Sequence, residues 1–366
     1  MLRHAIILVM FVGLTAACTP AATTGTPVAP TPLPPSATAA PPSATLPSPS
    51  ETPVPASATP AATETTAPTE APTAAPTLAV EVSFVWKLTE ADGVALAHPD
   101  GITLAPDGTL WMLDAGNNRA VQVDTETGAA LQVFAPDAPE AQLSTLDFGG
   151  LVAAPDGSLY IVSNARNQVL KFDADLNFVT AWGGRGTTNG LFARVIDVGL
   201  DAAGNIYVTD DHNPLIQLFD PNGQFLLSWG SAGDGPGQFD HATGVAVDPD
   251  GNVYVSDYSN ATVQKFDPQG NFLLSWGGRG SGPGKFSGPD GLAIDGAGRV
   301  YVTDYDASKV QVFDGTGQFL MMFGLRGTQD GRFTRPAGVA VSADGGSVYV
   351  TDERAGTLQK FTLVWP

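Results

Sequence analysis

The residues able to do chemistry in this sequence are few and scattered. Three histidines lie beyond the leader, His98, His212 and His241. Three imidazoles can hold zinc with a position left open for substrate. The close His-x-x-His spacing of ordinary zinc sites is missing, so only folding could bring them together. Asp114, Asp210, Asp257, Asp304 and Asp352 recur in one local phrase, each closing a short apolar run. Such carboxylates either form a cation-binding ring or accept backbone N–H bonds inside their own loops, and the second use is the commoner. Arg185, Arg279 and Arg326 recur in the phrase Gly-x-Arg-Gly, where each bridges neighbouring units or reaches toward a ligand. No nucleophile elbow, phosphate loop or dinucleotide fingerprint is present.

The elements that must position these side chains are repeats. Gly108, Gly157, Gly204, Gly251, Gly298 and Gly345 follow one another at a spacing of 47 to 49 residues. Trp111, Tyr160, Tyr207, Tyr254 and Tyr301 each lie three residues after the glycine, and Tyr349 four after, behind the inserted Gly346. Ile102, Leu151, Val198, Val245, Leu292 and Val339 each precede it by six. Within a copy, GVAVD, VYVSD, TVQKFD and NFLLSWG are short alternating runs separated by Asp, Pro, Gly and Asn turns. Four such strands in about 47 residues make one propeller blade. The expected fold is therefore all-β: a six-bladed β-propeller of four-stranded antiparallel blades. The sixth copy lacks its fourth strand, and Val82–Trp86 carries the matching pattern, so residues 81–88 are expected to close the ring and hide two sheet edges. Phe192, Phe239, Phe286 and Phe333, repeated between copies, are expected to wedge blades apart.

The phrases GQFDHATGVAVDPDGNVYVSDYSNATVQKFD and GKFSGPDGLAIDGAGRVYVTDYDASKVQVFD resemble NHL repeats. The resemblance covers residues 81–366, implies a central channel, and is similar in kind to the extracellular sensor domains of bacterial receptors. Peptidyl-hydroxyglycine amidating lyases resemble it in architecture alone, and would imply three-histidine zinc. His98 and His241 fall in blades one and four, on opposite sides of such a ring, which places them too far apart for one ion.

Strand order sorts the loops. Turns joining the first to the second and the third to the fourth strand share a bottom face, where Arg299 is the one basic residue among many acids. The remaining loops share a top face rich in arginine and histidine. Mixed charge on variable loops is where binding sits, and arginine suits planar carboxylate or phosphate groups. The expected ligand surface is this top face: Arg185, Arg194, Asp210, His212, His241, Asp257, Tyr258, Arg279, Asp304, Tyr305, Arg326 and Arg335. The leading expectation is a non-enzymatic binding or scaffold module that recognises an envelope protein, peptide or glycan. The alternatives are a metal-dependent lyase or lactonase at the channel mouth and a structural envelope protein. No cofactor is expected for the binder. Calcium, or zinc on His98, His212 and His241, belongs to the enzymatic alternative.

The ends of the sequence bear on location. Residues 1–18 combine a basic head, an apolar run from Ala5 to Leu14, and small residues before Cys18, the single cysteine. This is a secretory signal and resembles a bacterial lipoprotein signal, with Thr15 and Leu14 departing from the usual order. It implies a lipid on Cys18 and an extracytoplasmic, membrane-anchored protein. The apolar run is too short to span a bilayer. Residues 19–78, rich in Pro, Thr, Ala and Ser, are expected to form a disordered stalk, and residues 79–366 the propeller. The net charge is −20; residues 79–366 carry 16 basic and 34 acidic side chains, or −18. Such a field repels nucleic-acid phosphates, and no nucleic-acid partner is expected.

Overall fold

A computed structural model describes residues 79–135 and 148–366. The signal and stalk expected over residues 1–78 lie outside the described residues. Six four-stranded antiparallel sheets are present. Their innermost strands are Pro99–Leu104, Phe148–Ala153, Val195–Leu200, Ala242–Val247, Pro289–Ile294 and Pro336–Val341. Each packs beside its two neighbours, and the last returns to the first, so they enclose a channel. Among the described residues no helix is long and apolar enough to cross a membrane.

The strand patterns follow from position in the blade. Second strands such as Val253–Asp257 are buried at every residue, because blades cover both faces. Fourth strands such as Phe272–Gly277 alternate between half-buried and exposed positions, because they form the rim. Six apolar clusters hold the ring, each between two adjacent blades. In one of them Trp229, on the rim of blade three, meets Tyr207 of its own blade at 6.1 Å and Phe266 of blade four at 5.8 Å. Phe239 is fully buried against Phe266, which is the wedge expected of that repeat.

Closure follows the expected route. Glu81–Leu88 pairs antiparallel with Thr357–Val364 as the outermost strand of blade six. Phe84 packs edge-on against Phe361, and Trp86 packs against Tyr349. One element went unanticipated. Glu90–Ala91 and Val94–Ala95 form a small hairpin around Asp92 and Gly93, both at positive φ, which is the backbone a two-residue Asp-Gly turn requires.

Candidate functional site

Each second strand ends on a buried polar residue, and in blades three to six that residue is an aspartate that accepts N–H bonds from the top loops. Asp257 is fully buried. It accepts N–H bonds from Asp240, His241 and Asn260. Asp210 does the same for Ala193, Arg194 and Asn213, Asp304 for Ser287 and Gly288, and Asp352 for Thr334, Arg335 and Ala355. Their oxygens are spent on backbone and their side chains are sealed from the face. Asp210, Asp257 and Asp304 therefore position the site from beneath instead of lying on its surface.

This latch aligns two positions in each of blades three to six. The residue after the latch bonds through its N–H to the carbonyl of the residue that precedes the inner strand by one. The pairs are Asp211 to Arg194, Tyr258 to His241, Tyr305 to Gly288, and Glu353 to Arg335. The residues after the latch, Ala115, Asn164, Asp211, Tyr258, Tyr305 and Glu353, all line the top of one cavity of about 750 Å³, whose wall continues down the channel along the innermost strands to Leu104, Leu200, Ile294 and Val341. His98, Arg194 and His241, from the second position, line it too.

The other expected surface residues divide into two groups. Arg335 donates to the Tyr305 hydroxyl at 3.3 Å and stacks over its ring at 5.1 Å, beside the cavity. Arg185, Arg279 and Arg326 are exposed and do not line it. Among the described residues none of the three makes an ion pair, the contact through which bridging between blades was expected. Arg279 donates instead to the Ser259 carbonyl at 2.9 Å.

The histidines part as the opposite-blade argument demands. His98 pairs with Glu353 at 3.0 Å. His212 and His241 come together near Asp211, with ring centroids 6.3 Å apart. The trio of His98, His212 and His241 is therefore not assembled.

The channel wall below the loops holds what the top-loop reading missed. Asp197 and Asp290 stand on the innermost strands of blades three and five and line the cavity. Both retain some exposure to the channel and are otherwise enclosed by protein. Loss of water pushes Asp197 up to about 6, against N–H bonds from Val245 and Val198. Loss of water pushes Asp290 up to about 7, with help from the charges of Asp197, Glu353 and Asp306. Burial raises Asp211 as well, against the pull of Arg194, His212 and His241. Burial, then the bond to Asp306, pushes the Tyr258 hydroxyl up to about 12. Tyr305 is shifted upward by burial and by its bond to Glu353. The signal for Asp197 and Asp290 was available: each is a carboxylate inside a strand nearest the axis, where most residues are small or apolar, and Asp100 holds the equivalent place in blade one on the same cavity.

These carboxyls make stability depend on pH. Each is raised in the folded chain, so the folded state holds protons that the unfolded chain releases from about 3.8 upward. The penalty is absent below about pH 4 and complete above about pH 7. Asp290→Asn should therefore raise stability at pH 7.5 by on the order of 2 kcal/mol, after allowing for channel water, and leave it unchanged at pH 4. Urea unfolding at the two pH values checks this; an equal effect at both would refute it.

A six-bladed propeller with an ionisable pocket at the channel mouth is the class that fold and site define. A family model described as "SMP-30/Gluconolactonase/LRE-like region" matches residues 98–329, and an NHL repeat model matches residues 333–361. The first match spans more than half of the chain, which therefore belongs to the SMP-30/gluconolactonase/LRE-like family. Comparison with curated proteins finds no match. Among solved structures, a streptogramin B lyase is similar at 15% identity and TM-score 0.54, over 78% of this chain and 98% of that one. A gluconolactonase from Xanthomonas campestris is similar at 17% identity and TM-score 0.55, over 73% and 86%. A catalytically inactive virginiamycin B lyase from Staphylococcus aureus, solved with quinupristin, is similar at 13% identity and TM-score 0.54, over 78% and 100%. At such identities the likeness speaks for the fold.

Proposed function

We propose that this chain is an enzyme of the lactonase or lyase kind, opening a small polar ester at the top mouth of its channel. One observation carries the reading: Asp197 and Asp290, raised to about 6 and about 7, face a single cavity. Near neutral pH the pair exchanges protons readily, as a general base and a general acid must. In hydrolysis the ionised carboxyl takes a proton from the attacking water. The protonated one gives its proton to the alkoxide oxygen that leaves as the ring C–O bond breaks. Arg194 places a guanidinium at the rim for a carbonyl or carboxylate, and Tyr258 and Tyr305 form an aromatic wall, their rings 6.4 Å apart. Family membership and the neighbours' names agree with this class. It departs from the binding module that the sequence favours, because buried acid–base groups in a cavity are costly to keep for binding alone.

The test is turnover of aldonolactones and cyclic depsipeptides by the chain, with Asp197→Asn and Asp290→Asn alongside. Each substitution should lower kcat by about 10²- to 10⁴-fold, and the pH profile of kcat/KM should bend near 6. No turnover of any such ester, with both variants binding ligands as the parent does, would sink the reading.

A second reading, the cell-surface binder of an envelope protein, peptide or glycan, rests on Arg185, Arg279 and Arg326, which stand exposed outside the cavity and make no ion pair among the described residues. The lipid anchor on Cys18 would hold either version at the membrane.

A further inference from the structure

Another pocket, of about 400 Å³, lies on the top face between blades six and one. Leu96, Ala97 and His98 form one wall, and Arg335, Glu353 and Arg354 the other. The first wall follows the small hairpin that the repeat pattern does not contain. Blade one pins it. Ala97 donates its N–H to Asp114, Gly116 donates to the Ala97 carbonyl, and Asn117 and Arg119 hold the carbonyls of Ala95 and Val94. On the opposite wall, Gly356 comes so close that an added Cβ would lie 2.6 Å from the Leu96 carbonyl oxygen. The pocket is thus built on fixed backbone.

Its charges do not balance. Both oxygens of Glu353 are engaged, Oε1 with His98 Nδ1 at 3.0 Å and Oε2 with the Tyr305 hydroxyl. Arg335 lies over the Tyr305 ring and donates to its hydroxyl at 3.3 Å. Arg354 is exposed. Among the described residues neither guanidinium forms an ion pair, and Arg354 makes no hydrogen bond. Residues 79–366 carry 34 acidic side chains against 16 basic ones, yet these two cations share one pocket without a carboxylate of their own. Like charges held together repel unless an anion comes between them. His98 adds a second sign. It adopts φ +48°, a left-handed backbone that non-glycine residues keep where their surroundings over-determine it, as at ligand clamps.

The chemistry of the walls selects the anion. A guanidinium fork matches the two oxygens of a planar carboxylate. A phosphate dianion would meet twice the repulsion from Glu353 and from the acidic field of the chain, so a carboxylate monoanion fits better. The position of the pocket selects the source. His98 and Glu353 line both this pocket and the channel cavity, so the two adjoin, and one ligand can occupy both.

We propose that Arg335 and Arg354 bind a carboxylate in the pocket between blades six and one, and that this carboxylate is carried by the ester whose reacting bond lies in the channel. The substrate class is then an acidic lactone or ester. The assignment to substrate rests on the ester-opening reading; the carboxylate site itself stands on the two unpaired guanidiniums.

Two measurements on the full chain test it. Calorimetry with glutarate, and with its neutral diamide, reads the site without turnover. Glutarate should bind at one per chain and the diamide should not. Arg335→Gln and Arg354→Gln should each weaken glutarate by about tenfold or more. Arg332→Gln, at an exposed position outside the pocket, should leave it unchanged. Arg354 is exposed, so its variant should keep the parent's circular dichroism. The second measurement is kcat/KM for a lactone bearing a side-chain carboxylate, against the same lactone as its primary amide. The parent should prefer the acid, and Arg354→Gln should cut that preference by about tenfold or more. Glutarate binding that is absent, or indifferent to both arginine substitutions, overturns the site. Glutarate binding lost in Arg354→Gln while the lactone preference stays as in the parent overturns the assignment to substrate, and the carboxylate then belongs to a separate small acid. If neither lactone is opened but glutarate binds through the arginines, the acid–base reading fails and the site stands. If both lactones are opened equally well, the reverse holds.

Discussion

Deleting residues 79–88 should cost the propeller on the order of 5 kcal/mol and leave it prone to aggregate. The strand Glu81–Leu88 is the sole covering of the edge Thr357–Val364, and its loss exposes a long strand edge ready to pair with another chain. It also removes Phe84 from the cluster between blades five and six, and Trp86 and Leu88 from the one between blades six and one. Gly128 in blade one approaches the Trp86 ring so closely that an added Cβ would stand 2.6 Å from it, so the indole is the contact between the closing strand and the next blade. Loss of a buried aromatic typically costs about 3–5 kcal/mol, and here two half-buried ones go together with the strand pairing. Two point variants keep the test sharp. Trp86→Ala should lower stability by several kcal/mol, and Val85→Ala, whose side chain faces solvent, by well under 1 kcal/mol. Chemical unfolding with size-exclusion chromatography reads both. Equal behaviour of the two variants would show that the ring does not depend on this strand.

Gly149→Ala is expected to be nearly as damaging, for a different reason. Gly149 sits on the innermost strand of blade two, and a Cβ there would lie 1.7 Å from the Ile196 carbonyl oxygen of blade three. That neighbour is backbone, which cannot rotate away. Its companion Gly150 leaves room for the Asp197 carboxylate, which an added Cβ would meet at 1.8 Å. The channel is narrow, and small residues are what allow inner strands to converge on it. Overpacking of this kind costs about 3 kcal/mol, and by tilting Asp197 it should also reduce the proposed ester turnover. Gly108→Ala is the control: nothing lies within 4 Å of its added Cβ, and only its φ of +84° opposes alanine, at roughly 1 kcal/mol. A reversed order in measured stabilities would contradict the packing described for the channel.

Repeat spacing was enough to read the blade count, the strand order and the closing strand, because each follows from local alternation repeated at fixed register. Even the hairpin at Asp92–Gly93, left unread, carried its signal in the two turn residues. The same register implied the latch aspartates, since a carboxylate closing a strand meets the N–H groups of the adjoining loop whatever lies farther away. Periodicity also set His98 and His241 on opposite sides of the ring, which the separate partners of the two residues reflect. What the sequence by itself determined is therefore the scaffold: contacts within a blade, or between copies one repeat apart, are encoded in spacing. Only the tertiary structure decided which residues share the cavity. Asp211 and His241 meet across a blade boundary, and Asp197 and Asp290 face one channel from strands two blades apart. Their proton affinities depend on how much water the closed ring admits, and solvent exclusion belongs to the whole ring and to no single repeat.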